Sequence, residues 1–308
     1  MATTTSITST YAGEFAGEYI SAALLSGSTL ANNLITIKPN VKHKEVLKKV
    51  ATDGIVKNAT CDFDATSTIT LTERVLTMEE FQVNLQLCKK DFVSDWEAIQ
   101  MGYSAHDNLP PKFSDFLIAH VASKVAAKIE NNIWNGADGT AGEFNGFNVT
   151  LAADSDVVDV SGSPVTASNV ITELGKIVDA IPSAVYGSED LCIYVPSNIY
   201  KAYIRALGGF GASGLGAAGY GNEGTQWFDG APLTFDGIKV VYAAGLANEQ
   251  AIAAQKSNLF FGTGLMSDTN EVKVIDMSDL DGSQNVRVVM RFQAGIQHGI
   301  GSDIVWYA

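Results

Sequence analysis

The stretch from Pro111 to Gly136 constrains the chain most, because prolines open it, a glycine closes it, and one apolar stripe runs along it. Phe113, Leu117, Val121, Val125, Ile129 and Ile133 fall on one helical face, which Phe116, Ile118 and Trp134 widen. Pro110 and Pro111 suit a helix start, where first-turn N–H groups lack intrahelical partners, and Gly136 suits an end because glycine tolerates positive φ. At about 1.5 Å per residue the helix spans roughly 35 Å, beyond the usual globular length. It reads as a spine that something long must cover.

A matching element lies near the C-terminus. Val286, Val288, Met290, Phe292, Ala294 and Ile296 alternate with Arg287, Arg291, Gln293 and Gln297, a strand of roughly 36 Å at about 3.3 Å per residue. A second strong β-signal runs from Ala59 to Phe92: Ile69 and Leu71 alternate with threonines, and Phe81, Val83, Leu85 and Leu87 with Gln82, Asn84 and Gln86. We read these as one hairpin with a dry face. A lone hairpin is marginal in water, so that face must lie on another surface, and on a neighbouring copy if the hairpin projects.

Elsewhere the reading is mixed. Residues 1–10 are mostly Thr, Ser and Ala, with little to bury. Tyr11–Leu25, with Phe15, Tyr19, Ile20, Leu24 and Leu25, reads as a weak amphipathic helix, an arm that packs on something. Leu34–Ile37 reads as a short strand, and the lysine-rich stretch after Pro39 as a strand or a short helix. Strands are expected at Val157–Val165, Leu191–Val195, Gly237–Tyr242, Leu259–Phe261 and Ile304–Tyr307, and helices at Asn169–Ile181 and from Pro196 through Leu207. Gly208–Gly224, with eight glycines in seventeen residues, reads as a long loop or a set of tight turns. The class is α+β.

Composition bounds the function. At 308 residues and 46% hydrophobic content the chain can bury a real core, with a length prior of about two domains. A net charge of −14 argues against a surface that binds nucleic acid all over. The charge is uneven. Residues 1–37 hold no Lys or Arg, then Lys38, Lys42, Lys44, Lys48 and Lys49 arrive together, while Glu130–Tyr200 holds ten acidic residues against Lys176. Attraction between these segments on different copies and two solvated faces are equally good readings. Three scattered cysteines make no disulfide framework or CxxC, so cytosolic synthesis is expected. Neither a secretory signal nor an apolar run of membrane-spanning length is visible.

Chemistry finds little support. Gly209–Gly214 and Gly214–Gly219 match GxGxxG, but a helix precedes them and glycines follow, the reverse of a dinucleotide site. Asp276, Asp279 and Asp281 before Gly282 suggest a calcium loop in the wrong register, so a turn between strands is expected. His43, His106, His120 and His298 are isolated, which gives zinc no support, and Ser213 is not in a GxSxG elbow. Glu79-Glu80 and Glu189-Asp190 are adjacent pairs that point apart in extended chain. Cys61 and Cys88 would face each other on the hairpin, although two small apolar residues is the plainer reading. No catalytic, cofactor or metal residues are assigned.

The order of parts resembles the major capsid proteins of tailed bacteriophages with the HK97 fold. Ile129–Gly136 and Phe144-Asn145-Gly146-Phe147 carry the resemblance, and two further stretches, Tyr11-Ala12-Gly13-Glu14 and Leu71–Thr77 continuing to Asn84–Phe92, look like the arm and E-loop of capsid proteins of crAss-like phages and their relatives. The resemblance implies an N-terminal arm at 1–50, a projecting E-loop at 51–94, a P domain at 95–164 and 257–296, and an A domain at 165–256 and 297–308. It further implies a non-enzymatic subunit, made in the host bacterial cytoplasm, that forms hexamers and pentamers of an icosahedral head around double-stranded DNA. Portal, separate scaffolding and decoration proteins are implied partners, and no membrane is. Lys57 and Lys89 lie on the E-loop, but no partner Asn is identifiable, so no cross-link is expected.

The residues assigned to contacts between subunits are Phe15, Tyr19, Lys42, Lys44, Lys48, Lys49, Ile69, Leu71, Phe81, Val83 and Leu85. Serine at both Val83 and Leu85 is expected to abolish shells and spare the central domain. Competing readings are an encapsulin-like compartment shell and, third, a nucleotide-dependent enzyme.

Overall fold

The computed structural model describes residues 10–12, 27–52, 54–59, 61, 69–88, 111–207, 233–264, 271–277, 282–283 and 285–308. In chain order its elements are β1 (Thr10–Ala12), α1 (Ser28–Ala31), β2 (Thr36–Pro39), β3 (Lys44–Thr52), β4 (Ile69–Thr77), β5 (Glu79–Cys88) and α2 (Pro111–Asn135). There follow α3 (Phe147–Ala152), β6 (Val158–Val160), α4 (Val170–Asp179), β7 (Leu191–Val195), α5 (Ser197–Leu207), β8 (Thr234–Phe235), β9 (Ile238–Tyr242) and β10 (Ala251–Gln255). The last are β11 (Leu259–Thr263), β12 (Glu271–Asp276), β13 (Asn285–His298) and β14 (Val305–Tyr307).

The spine forms as its stripe predicts. Ile118, Val121, Val125, Ile129, Ile133 and Trp134 of α2 are buried in one core with Val286, Val288, Met290, Phe292, Ala294 and Ile296 of β13. Helix and strand thus share one dry seam, each presenting its own period to it. The side chains of Phe113, Phe116 and Leu117 lie outside the described residues. Around β13 gather β5, β11 and β12, all antiparallel to it, with β2 parallel to β11 and β1 at the far edge on β12.

Gly136 ends α2 for want of space rather than by left-handed backbone, since its φ is not among the positive ones. A Cβ there would collide with the Phe144 carbonyl oxygen, and the Gly136 carbonyl accepts the Gly146 N–H at 2.8 Å. Gly146 is as tight: a Cβ would lie 2.6 Å from the Asn132 carbonyl oxygen. The asparagines around them hold the turn, with Asn132 Nδ2 donating to the Gly142 carbonyl at 2.9 Å and Asn145 Oδ1 accepting the Asp138 N–H at 3.0 Å. The two sequence motifs that flank this turn are therefore one packed knot.

A second sheet, in the order β6-β14-β10-β7-β9-β8, carries α4 and α5 and a core of its own. It takes in β6, which lies upstream of the boundary expected at residue 165. Asn135 ties the two halves, donating to the Gly245 carbonyl and accepting the Ala247 N–H at 3.1 Å.

One expectation fails outright. β4 and β5 do not form a hairpin with each other: β4 pairs with β3 from Lys44↔Thr77 to Thr52↔Ile69, and β5 pairs with β13 from Asn285↔Cys88 to Ala294↔Glu79. Only Met78 separates them, and a reversal needs a loop of at least about two residues. The chain passes from one sheet into the next. Cys88 accordingly lies opposite Asn285, not Cys61. Tyr11 and Ala12 are in β1 rather than at the start of a helix, while the rest of that predicted helix, the Gly208–Gly224 loop and both GxGxxG matches lie outside the described residues.

Candidate assembly surface

Among the described residues the β3–β4 ribbon is two strands with no third. Paired residues share a face, so Val46↔Val75, Lys48↔Glu73, Val50↔Leu71 and Thr52↔Ile69 form one side. On that side Ile69, Leu71 and Val50 are 69%, 68% and 62% exposed, and Val46 and Val75 are also exposed. At the tip Val56 is 88% exposed, beside Ile55. Seven of the thirteen exposed large hydrophobic side chains among the described residues thus lie on the ribbon and its tip, which marks it as an unfinished surface.

The opposite side faces the body. Leu76 is buried with Val41 and Met78, and a groove of about 790 Å³ runs beneath the ribbon between Lys38, Leu47, Lys49 and Arg74 on one hand and Asp156, Asn258, Phe260 and Ile300 on the other. Gly262 and Gly295 let the root sit close, since side chains there would meet Leu76 and Met78 or the Thr77 carbonyl. Gln297 Nε2 donates to the Val75 carbonyl at 3.0 Å, Lys38 pairs with Glu45, and Arg74 pairs with Asp154.

The predicted contact residues separate into groups. Ile69 and Leu71 of β4 and Lys44 and Lys48 of β3 are exposed on the ribbon, Lys49 is half-buried over the groove, and Lys42 is exposed just before β3. Phe81 and Val83 instead pack against the main core; the Phe81 ring lies 5.6 Å from that of Phe292 and 6.0 Å from that of Phe144. Leu85 is exposed on β5, and Phe15 and Tyr19 lie outside the described residues. The Val83 and Leu85 double substitution therefore mixes a core side chain with an exposed one and would not spare the subunit. Within the acidic middle of the chain, Glu143, Asp154 and Glu173 are paired inside the subunit, with Lys128, Arg74 and Lys176.

Glu130 is a residue that the spine reading passed over. It lies buried on α2, where its carboxylate accepts the Thr29 N–H at 3.0 Å, the Thr29 hydroxyl and the Ser28 hydroxyl at 3.1 Å. Gly27 caps α1 without a side-chain bond, so Glu130 supplies that cap from across the structure. Its signal was a charge beside the apolar stripe. Glu130→Ala should lower unfolding stability by about 1.5–3 kcal/mol, the usual worth of hydrogen bonds to a charged group, with Glu130→Gln milder; chemical denaturation of the unassembled subunit measures both.

No group of His, Cys, Asp and Glu that could hold a metal ion occurs among the described residues, and no described helix is long and apolar enough to cross a membrane. No model of a known family and no curated protein matches the sequence. Solved structures do match over nearly all of it. A chain of the satellite phage P4 procapsid, in a structure including the size determination (Sid) protein, is 10% identical with a TM-score of 0.56 over 94% of this chain and 96% of that one. The capsid of cyanophage P-SCSP1u gives 13% identity and 0.57 over 91% and 88%. The capsid of a native GTA particle gives 12% and 0.59 over 89% and 93%. At such identities the likeness is one of architecture: the chain has the HK97-like fold of these capsid structures.

Proposed function

We propose that this chain is a major capsid protein that self-assembles into the icosahedral head of a tailed bacteriophage. The observation that carries the reading is the β3–β4 ribbon, whose apolar face has no partner among the described residues, set on a fold that matches capsid chains along about nine-tenths of its length. A two-stranded ribbon of this kind is completed by another copy, so the first partner is the chain itself. The subunit acts by packing, not by catalysis.

In this reading the E-loop is the ribbon, which shifts the span inferred from sequence, 51–94, to about Lys44–Thr77, and the arm is what precedes it, residues 1–43 rather than 1–50. The sheet around β13 with α2 is the P domain, and the β6–β14 sheet with α4 and α5 is the A domain. Hexamers and pentamers of the subunit enclose double-stranded DNA, with portal, scaffolding and decoration proteins as separate chains, and synthesis takes place in the host bacterial cytoplasm. The stretches at Tyr11–Glu14, Leu71–Thr77 and Asn84–Phe92 support a place near the capsid proteins of crAss-like phages.

Negative-stain electron microscopy of the purified chain tests the function. Uniform closed shells are expected, and a protein that stays monomeric at every concentration and salt would overturn the reading. Nuclease-protected DNA in particles from infected cells separates a phage head from an encapsulin-like compartment.

A further inference from the structure

The chain holds two Asn-Gly pairs, Asn135-Gly136 and Asn145-Gly146, and the fold brings both into the one knot at the end of α2. Asparagine before glycine readily loses its side-chain amide, because no Cβ shields the backbone nitrogen that follows. That nitrogen attacks the side-chain Cγ. A Cγ–N bond forms, the Cγ–Nδ2 bond breaks, and Nδ2 takes the glycine's amide proton and leaves as ammonia. Water then opens the five-membered imide at one carbonyl or the other, giving aspartate or isoaspartate. Isoaspartate carries one extra methylene in the main chain.

The knot occupies the groups this reaction needs. The Gly146 N–H donates to the Gly136 carbonyl at 2.8 Å, and the exposed Asn145 side chain is held by the Asp138 N–H at 3.0 Å. The Gly136 N–H donates to the Asn132 carbonyl at 3.1 Å, and the Asn135 side chain is held by Gly245 and Ala247, between β9 and β10, and by Asn148 of α3. The two pairs therefore open at different depths. Freeing Asn145 disturbs only the turn at 137–146, whereas freeing Asn135 pulls the end of α2 from the second sheet.

We propose that Asn145-Gly146 is a deamidation site shut by the native knot, so that a subunit whose knot stays open is converted to isoaspartate there and cannot close it again. The irreversibility follows from space. A Cβ on Gly146 would lie 2.6 Å from the Asn132 carbonyl oxygen and 2.7 Å from the Gly136 nitrogen, so its seat has no room for one more carbon. A methylene added to the main chain just before it displaces Gly146 from that seat. Plain aspartate adds no main-chain atom, and its carboxylate still accepts the Asp138 N–H. The site thereby withdraws from shell building those subunits that linger unfolded, a consequence that alone rests on the shell reading.

The purified full-length subunit, unassembled, is held in mildly alkaline buffer with and without unfolding concentrations of guanidinium chloride. Peptide mass spectrometry locates the lost amides, and isoaspartyl methyltransferase labels the isoaspartate. In denaturant both pairs should react at similar rates. In buffer Asn145 should react about tenfold or more slowly than in denaturant, and Asn135 more slowly still. Glu143→Ala, which takes the acceptor of the Ala137 N–H from the turn, should speed Asn145 in buffer and leave Asn135 unchanged. After dilution from denaturant, the folded fraction isolated by size exclusion should be depleted of isoaspartate at 145, whereas Asn145→Asp should fold. Equal rates at Asn145 in buffer and denaturant, no reaction there in denaturant, or undepleted isoaspartate in the folded fraction would each overturn the proposal. Every readout is taken on the unassembled subunit, so those results leave the shell reading intact.

Discussion

Replacing Val50 and Leu71 together by serine is expected to abolish closed shells while leaving the subunit folded. The two residues lie opposite each other on the ribbon's solvent face and touch neither core, so the isolated subunit loses almost nothing. In an assembly each apolar side chain of this size contributes about 1.5–3 kcal/mol when fully covered. Losing two per contact removes about 3–5 kcal/mol, a factor of roughly a hundred to several thousand in each association constant, repeated at every subunit. Sedimentation velocity should find only slow species, and circular dichroism an unchanged thermal transition. Intact shells from this variant would remove the ribbon from assembly.

Trp134→Ala should do the reverse, destabilising the subunit itself rather than its contacts. The indole is fully buried at the end of α2, 5.6 Å from the Phe147 ring and 5.2 Å from that of Tyr194 in the second sheet, and its Nε1–H donates to the Thr29 hydroxyl at 2.9 Å. It joins the spine, the α3 turn, the α1 clip and β7 in one contact. Truncation costs about 3–5 kcal/mol, and the Thr29 hydroxyl loses the indole donor while keeping its bond to Glu130. A fall of about 10 °C in the melting temperature is expected for a chain of this size. A shift of only a degree or two would show that α2 is not the element on which both sheets depend.

The features legible in the sequence were those in which one residue period repeats for long enough. The α2 stripe and the β13 alternation each run for more than ten residues, and β7 and α5 are bounded by clear turn signals. β10 escaped because Ala251–Ala254 are buried on both faces, which erases the alternation a half-exposed strand displays. β3 stayed open between a strand and a short helix, because Lys44, Lys48 and Lys49 leave only Val46, Leu47 and Val50 to show a period. The mistaken hairpin came from reading two good strands as partners while ignoring that Met78 alone cannot reverse the chain. That error moved Phe81 and Val83 to the wrong surface.

The candidate surface was half legible for the same reason. Ile69 and Leu71 were visible as an apolar set that needed covering, whereas Val46 and Val50 became visible only once β3 was seen to pair with β4. The pairing of Arg74 with Asp154 has no local signal, because its partners are 80 residues apart. Only the folded chain brings them together.

The most direct test of the account is a cryo-electron microscopy reconstruction of the assembled particle at side-chain resolution. The account predicts closed icosahedral shells in which Val46, Val50, Leu71 and Ile69 of each ribbon are buried against an adjacent subunit. Shells in which that face remains open to solvent, with subunits joined through other surfaces, would contradict it.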